Sequence, residues 1–86
     1  MTLEILSPEK NHLWENVQSI TLPGTIGSLQ VLKNHAPLIS SLRMGTILFA
    51  AEGHLLSIEV AEGFVEVLNN RITVCIDSVT KETAKK

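Results

Sequence analysis

Cysteine, aromatic residues, charge of one sign and long apolar runs are all scarce in this 86-residue chain. Each scarcity removes a class of protein. The single cysteine, Cys75, has no second thiol to pair with, so no intramolecular disulfide staples the fold. No charged segment leading into an apolar one opens the chain, which reads as a protein of the reducing, cytosolic side. The longest apolar stretch, residues 47–51, is far short of the ~20 residues that span a bilayer, so membrane contact must run through another protein rather than by direct insertion. Seven scattered basic residues against nine acidic ones leave a net charge of −2, without the basic footprint of a nucleic-acid or anionic-membrane binder.

The usual constellations of chemistry are also missing. Gly24 and Gly27 are followed by no Lys-Ser/Thr pair and no helical pattern, so they do not form a phosphate loop. His12, His35, His54 and Cys75 never fall at the short pairwise spacing of zinc sites. Cys75 lies between Val74 and Ile76 with only Asp77 nearby, where a nucleophilic thiol needs a base within reach. Alternation places Glu59 and Glu66 on outward faces, and Glu52 and Glu62 fall in turns, where carboxylates are ordinarily just solvated. No metal, cofactor or catalytic residue is expected.

What is present is a succession of short β-patterned runs. Trp14, Phe49 and Phe64 are the only aromatics, so the core must be built from Leu, Ile and Val, side chains that suit a pleated sheet. At this length folding removes roughly 60% of the surface of the unfolded chain, so that core is thin. Residues 1–6 alternate and stop at Ser7-Pro8. Residues 13–22 read as one strand, with Ile20 and Leu22 on one face and Val17, Ser19 and Thr21 on the other. Leu22-Pro23-Gly24-Thr25 fits a type II turn, in which glycine takes the positive φ at the third position. Residues 26–32 follow as a strand, its Gly27 marking a bulge or close backbone approach.

Beyond the connection Lys33-Asn34-His35-Ala36-Pro37, residues 37–42 resume the pattern. Residues 46–51 are apolar on both faces, which predicts a second sheet on one side and another cover on the other. Residues 55–60, 64–68 and 72–76 are three further strands, the last two joined by Asn69-Asn70, a pair that tolerates the left-handed backbone of a tight hairpin. Short strands at roughly ten-residue spacing with turn chemistry between them describe an all-β sandwich or barrel. Residues 79–86 are polar and lysine-rich, too short for a stable isolated helix, and are expected to fray, leaving residues 1–78 as the domain. For His35-Ala36-Pro37 the residues alone allow a purely structural role, histidine bonding to the turn and proline fixing its exit.

The pattern Gly27-x-Leu29-x-Val31-Leu32-x-x-His35-Ala36-Pro37-Leu38, between Gly24 and Gly45, resembles the N-terminal domain of the epsilon subunit of F-type ATP synthases. Leu3-x-Ile5-x-Ser7-Pro8 and Ala61-Glu62-Gly63-Phe64-Val65-Glu66-Val67 are similar to that family as well. The resemblance implies a β-sandwich of about ten short strands in two sheets. It also implies a non-catalytic central-stalk subunit, bridging the gamma subunit and the c-ring and helping couple ion translocation to ATP synthesis, peripheral at the cytoplasmic face of the inner membrane.

By that resemblance Gly24, Thr25, Ile26, Gly27 and Ser28 would face the c-ring, and Lys33, Asn34, His35, Ala36 and Pro37 the gamma subunit. Leu48 and Ala50, on the second apolar face of residues 46–51, would be covered by gamma too. Ser28 stands where family members often carry a carboxylate, so hydrogen bonding would replace a charged contact there. Most members continue into two C-terminal helices that can bind ATP or inhibit hydrolysis. This chain stops at Lys86, so a short form without those ATP-binding helices is expected. The competing expectations are a free-standing β-sandwich binding module for a peptide or small ligand and, third, a small hydrolase using a histidine and a carboxylate.

Overall fold

The computed structural model describes residues 1–9, 11–77 and 79–85, the last seven by their backbone alone. Ten strands form: β1 (Thr2–Leu6), β2 (Asn11–Trp14), β3 (Val17–Pro23), β4 (Ser28–Leu32), β5 (Leu38–Leu42), β6 (Gly45–Ala51), β7 (His54–Val60), β8 (Gly63–Leu68), β9 (Arg71–Ile76) and β10 (Val79–Lys85). They make two five-stranded sheets, ordered β2-β1-β9-β8-β5 and β10-β7-β6-β3-β4, with all pairs antiparallel except β1 with β9. This is the expected two-sheet sandwich rather than a barrel.

Alternation creates the core. Leu3 and Ile5 of β1, Val65 and Val67 of β8, and Ile72, Val74 and Ile76 of β9 are buried from the first sheet. Ile20 and Leu22 of β3, Val31 of β4, Ile47 and Phe49 of β6, and Ile58 and Val60 of β7 are buried from the second. Trp14 closes one end: its ring packs edge-on against Phe49, centroids 4.9 Å apart, and stacks on His12 at 5.3 Å. A side chain of β2 in the first sheet thus reaches the centre of the second.

The structure departs from expectation at four places. The run over residues 13–22 is not one strand, because Asn16 takes a left-handed φ of 58° and the chain changes sheets between Trp14 and Val17. Val17 faces the core instead of opposing Ile20, since the register of β3 against β6 shifts between Val17 and Ser19 and reverses the alternation there. The turn expected at Leu22-Pro23-Gly24-Thr25 lies two residues further on: Pro23 still pairs with Ser28, and Gly27 N–H donates to Gly24 O at 3.2 Å. Gly24 has no positive φ, and a Cβ on it would stand 2.5 Å from Gly27 O, so close approach and not left-handed backbone selects glycine. Strand β4 accordingly starts at Ser28, with Gly27 in the turn.

The fourth departure is the polar end. The backbone of residues 79–85 runs antiparallel to β7 as an edge strand rather than as a frayed tail. A polar segment needs no core of its own when a neighbouring strand supplies the ladder. Ser78 and Lys86 lie outside the described residues. The Asn69-Asn70 hairpin is as expected, with φ of 51° and 60° between the paired Leu68 and Arg71.

Candidate partner-contact surfaces

Of the five residues from Gly24 to Ser28, the first four form the turn between β3 and β4 and Ser28 opens β4, and residues 33–37 form the connection from β4 to β5. The two regions therefore sit at opposite ends of β4, whose five residues span about 17 Å at the usual strand rise. Each is held by a non-local set of hydrogen bonds.

In the first region, Thr25 N–H donates to Ser41 O at 3.2 Å, and the Thr25 and Ser41 hydroxyls lie 2.9 Å apart. Arg43 N–H donates to Pro23 O at 2.9 Å, its Nε–H donates to Gly24 O at 3.3 Å, and Gly24 bridges Leu42. Ile26 projects from this pinned turn fully exposed, at 104% of its reference accessibility. Gly27 and Ser28 are exposed beside it.

In the second region, His35 N–H donates to Leu32 O at 3.1 Å, closing a turn whose third residue, Asn34, has φ 66°. Asn34 N–H donates to Asn70 Oδ1 at 2.6 Å, and Asn70 Nδ2 donates to Asn34 Oδ1 at 3.0 Å. This reciprocal amide pair ties the connection to the β8–β9 hairpin. The His35 ring lies with Nδ1 2.7 Å from Ala36 O. A carbonyl only accepts, so Nδ1 carries the proton in that bond. Lys33, Asn34, His35, Ala36 and Pro37 are all exposed.

Leu48 and Ala50 fall on the outward face of β6 and are half-buried among neighbouring strands. Register aligns Leu32, Ser19, Ala50 and Leu55 in one row across β4, β3, β6 and β7, and places Leu48 beside Thr21 and Ser57 in the next. Leu32 and Leu55 are exposed, Gln30 is exposed beside Thr21 and Ser57 is buried, so the face is apolar with hydroxyls and one carboxamide, and its described carboxylate, Glu59, lies one row beyond. The structure thus extends the Leu48 and Ala50 surface to Leu32, which adjoins the 33–37 connection, while the 24–28 turn stands apart at the far end of β4.

Ser41, Arg43 and Leu55 were not singled out by the sequence pattern, and Leu32 and Asn70 stood out only as pattern and hairpin residues, not as parts of these surfaces. Their placement depends on register between strands, over 16 to 36 residues for Ser41, Arg43 and Asn70, and a period-two pattern carries no such information. Among the described residues no group of three His, Cys, Asp or Glu side chains gathers to hold a metal. Cys75 lines a shallow cleft of about 300 Å³ with Glu62, Gly63, Phe64, Ile76 and Asp77. No helix of the described residues is long and apolar enough to cross a membrane.

A family model described as the ATP synthase, Delta/Epsilon chain, beta-sandwich domain matches residues 1–82. The chain belongs to this family. It is 43% identical over 77 residues to the ATP synthase epsilon chain of Desulfitobacterium hafniense (strain DSM 10664 / DCB-2), covering 90% of this chain and 58% of that one. It is 36% identical over 93 residues to the ATP synthase epsilon chain of Synechococcus sp. (strain PCC 6716), covering all of this chain and 67% of that one. The chain thus spans somewhat over half the length of the first of these relatives. A chain in the central stalk/c-ring structure of the Tetrahymena thermophila mitochondrial ATP synthase shares its fold, with a TM-score of 0.78 at 15% identity over 94% of this chain and 66% of that one. A chain of the Euglena gracilis mitochondrial ATP synthase is similar at a TM-score of 0.79 and 19% identity, over 95% of this chain and 51% of that one.

Proposed function

We propose that this chain is a non-catalytic central-stalk subunit of a rotary ATP synthase, lying between the gamma subunit and the c-ring on the cytoplasmic side of the membrane and helping couple ion translocation to ATP synthesis. The observation that carries this reading is the family match over residues 1–82, on a chain whose two five-stranded sheets form the β-sandwich that the family's description names. The free-standing binding module and the hydrolase gain no observation of their own.

In this role residues 33–37 and the outward face of β6 lie against gamma, and residues 24–28 against the ring. A coupling part has to transmit force without deforming. A close-packed core of branched aliphatics has the low compressibility this requires. Both contact regions are also fastened by hydrogen bonds to segments distant in sequence, which keeps them from yielding locally.

The gamma assignment is tested by Leu48→Asp and Ala50→Asp, made separately. Each places a carboxylate on a face that would be dehydrated by gamma, and burying an unpaired charge costs several kcal/mol even after relaxation. Binding to purified gamma, measured by calorimetry, is expected to weaken at least about tenfold, while circular dichroism shows the sheet intact. If both variants fold and bind normally, gamma does not cover this face.

A further inference from the structure

The 24–28 turn grows out of the second sheet, yet its hydrogen bonds run to the first. Three consecutive residues, Pro23 at the end of β3 and Gly24 and Thr25 of the turn, are each bound by the end of β5 or the residue after it, through Ser41, Leu42 and Arg43. Gly24 O accepts twice, from Gly27 N–H within the turn and from Arg43 Nε–H outside it. Beyond these bonds Ile26 is the apolar side chain that the turn carries outward. A fully exposed isoleucine is unremarkable on a mobile loop, but here its backbone is fixed on both sides and its β-branched side chain has few rotamers to lose. A rigid apolar projection of this kind binds without the ordering cost that a floppy loop incurs.

We propose that Ser41 and Arg43 are positioning residues for the ring-side contact: they clamp the 24–27 turn onto β5 so that Ile26 is presented in one fixed direction to an apolar recess of the partner. This rests on the reading that residues 24–28 face the c-ring. The clamp also gives β5 a mechanical place. One end of the strand leaves the 33–37 connection and the other holds the ring-side turn, so the two contact regions are joined through five residues of backbone.

The test uses ATP synthase stripped of this chain and titrated with the purified full chain, with affinity and the ratio of ATP-driven ion pumping to ATP hydrolysis as readouts. Ile26→Asp, which alters the contact itself, is expected to weaken binding at least about tenfold by leaving a charge in an apolar recess. The double variant S41A/R43A leaves Ile26 in place but removes two side-chain anchors. It is expected to weaken binding severalfold, to lower the pumping ratio, and to speed amide hydrogen exchange at Thr25 and Gly27 about tenfold, with Ile20 and Val65 unchanged.

The conservative S41T/R43K, which retains a hydroxyl and a cationic donor, is expected to restore most of the lost affinity. Should the double variant fail to fold, Arg43→Ala alone carries the test, because Arg43 is exposed and its loss opens no cavity. Weak binding of Ile26→Asp alongside wild-type binding and exchange in S41A/R43A would overturn the clamp and leave the ring assignment standing. Wild-type binding and pumping by Ile26→Asp would overturn the ring assignment, and the clamp's role with it.

Discussion

Phe49→Ala is expected to destabilise the chain by about 3–5 kcal/mol, the largest loss of any single core truncation in this fold. Phe49 is 1% exposed, on the core face of the central strand of its sheet, and its ring is the one that Trp14 meets edge-on from the opposite sheet. With three aromatic side chains in the sequence and the third, Phe64, pointing outward, nothing else of that volume can close the gap. A chain of this length holds about 4–13 kcal/mol in total at the usual 0.05–0.15 kcal/mol per residue, so the variant loses about a quarter or more of its stability.

Thermal unfolding followed by circular dichroism should show the midpoint roughly 15–30 °C lower. Trp14, the only tryptophan, should report the same loss through its fluorescence. Phe49→Leu, which keeps most of the volume, should cost about 1.5 kcal/mol or less. A loss below about 1 kcal/mol for the alanine variant would mean that the two sheets do not meet at this ring.

Gly63→Ala is expected to be comparably damaging, although it adds only one methyl group. Its Cβ would collide with Cys75 O and stand 2.8 Å from Ile76 Cγ2, at the register pair that joins β8 to β9. A flexible side chain could swing aside, but the obstacle is a carbonyl fixed in the ladder. The strands must separate locally or the β7–β8 crossover must move, which puts the cost at or above the ~3 kcal/mol end of overpacking. Gly27→Ala provides the contrast: its Cβ would meet nothing within 4 Å, and φ there is not left-handed, so a change of about 0.5 kcal/mol or less is expected. Chemical denaturation of the two variants side by side checks both. Equal stability would contradict the close approach at Gly63.

Much of this fold was legible because period-two alternation acts locally. Residues 72–76 could be assigned inward and outward residue by residue, residues 55–60 likewise except that Ser57, on the outward face, is buried, and Asn69-Asn70 specified its own hairpin through the backbone it tolerates. What could not be read was whatever depends on a partner strand. The bulge between Val17 and Ser19 exists only against β6, and it alone makes Val17 a core residue. Pro23-Gly24 has the composition of a type II turn, yet pairing of Pro23 with Ser28 pushes the turn on to Gly27. Strand β10 has no signal of its own, since an edge strand of polar residues is held by the backbone of β7.

The contact surfaces divide in the same way. Residues 24–28 and 33–37 stood out by their turn chemistry and by resemblance to the epsilon subunit. Of the side chains that hold them in place, Ser41 and Arg43 did not, and Asn70 stood out only as a hairpin residue. Ser41 and Arg43 lie 16 and 19 residues from the atoms they bind, and Asn70 lies 36 residues from Asn34. Such pairs become neighbours only when the two sheets close, so their contribution belongs to tertiary structure.

Native mass spectrometry of complexes purified through a tag on this chain, from membranes of its source, tests the central claim most directly. The expected result is one copy of the chain bound with the gamma subunit and the c-ring, released together with gamma when the ring is dissociated. Recovery of the chain alone, or with proteins that include no ATP synthase subunit, would contradict it.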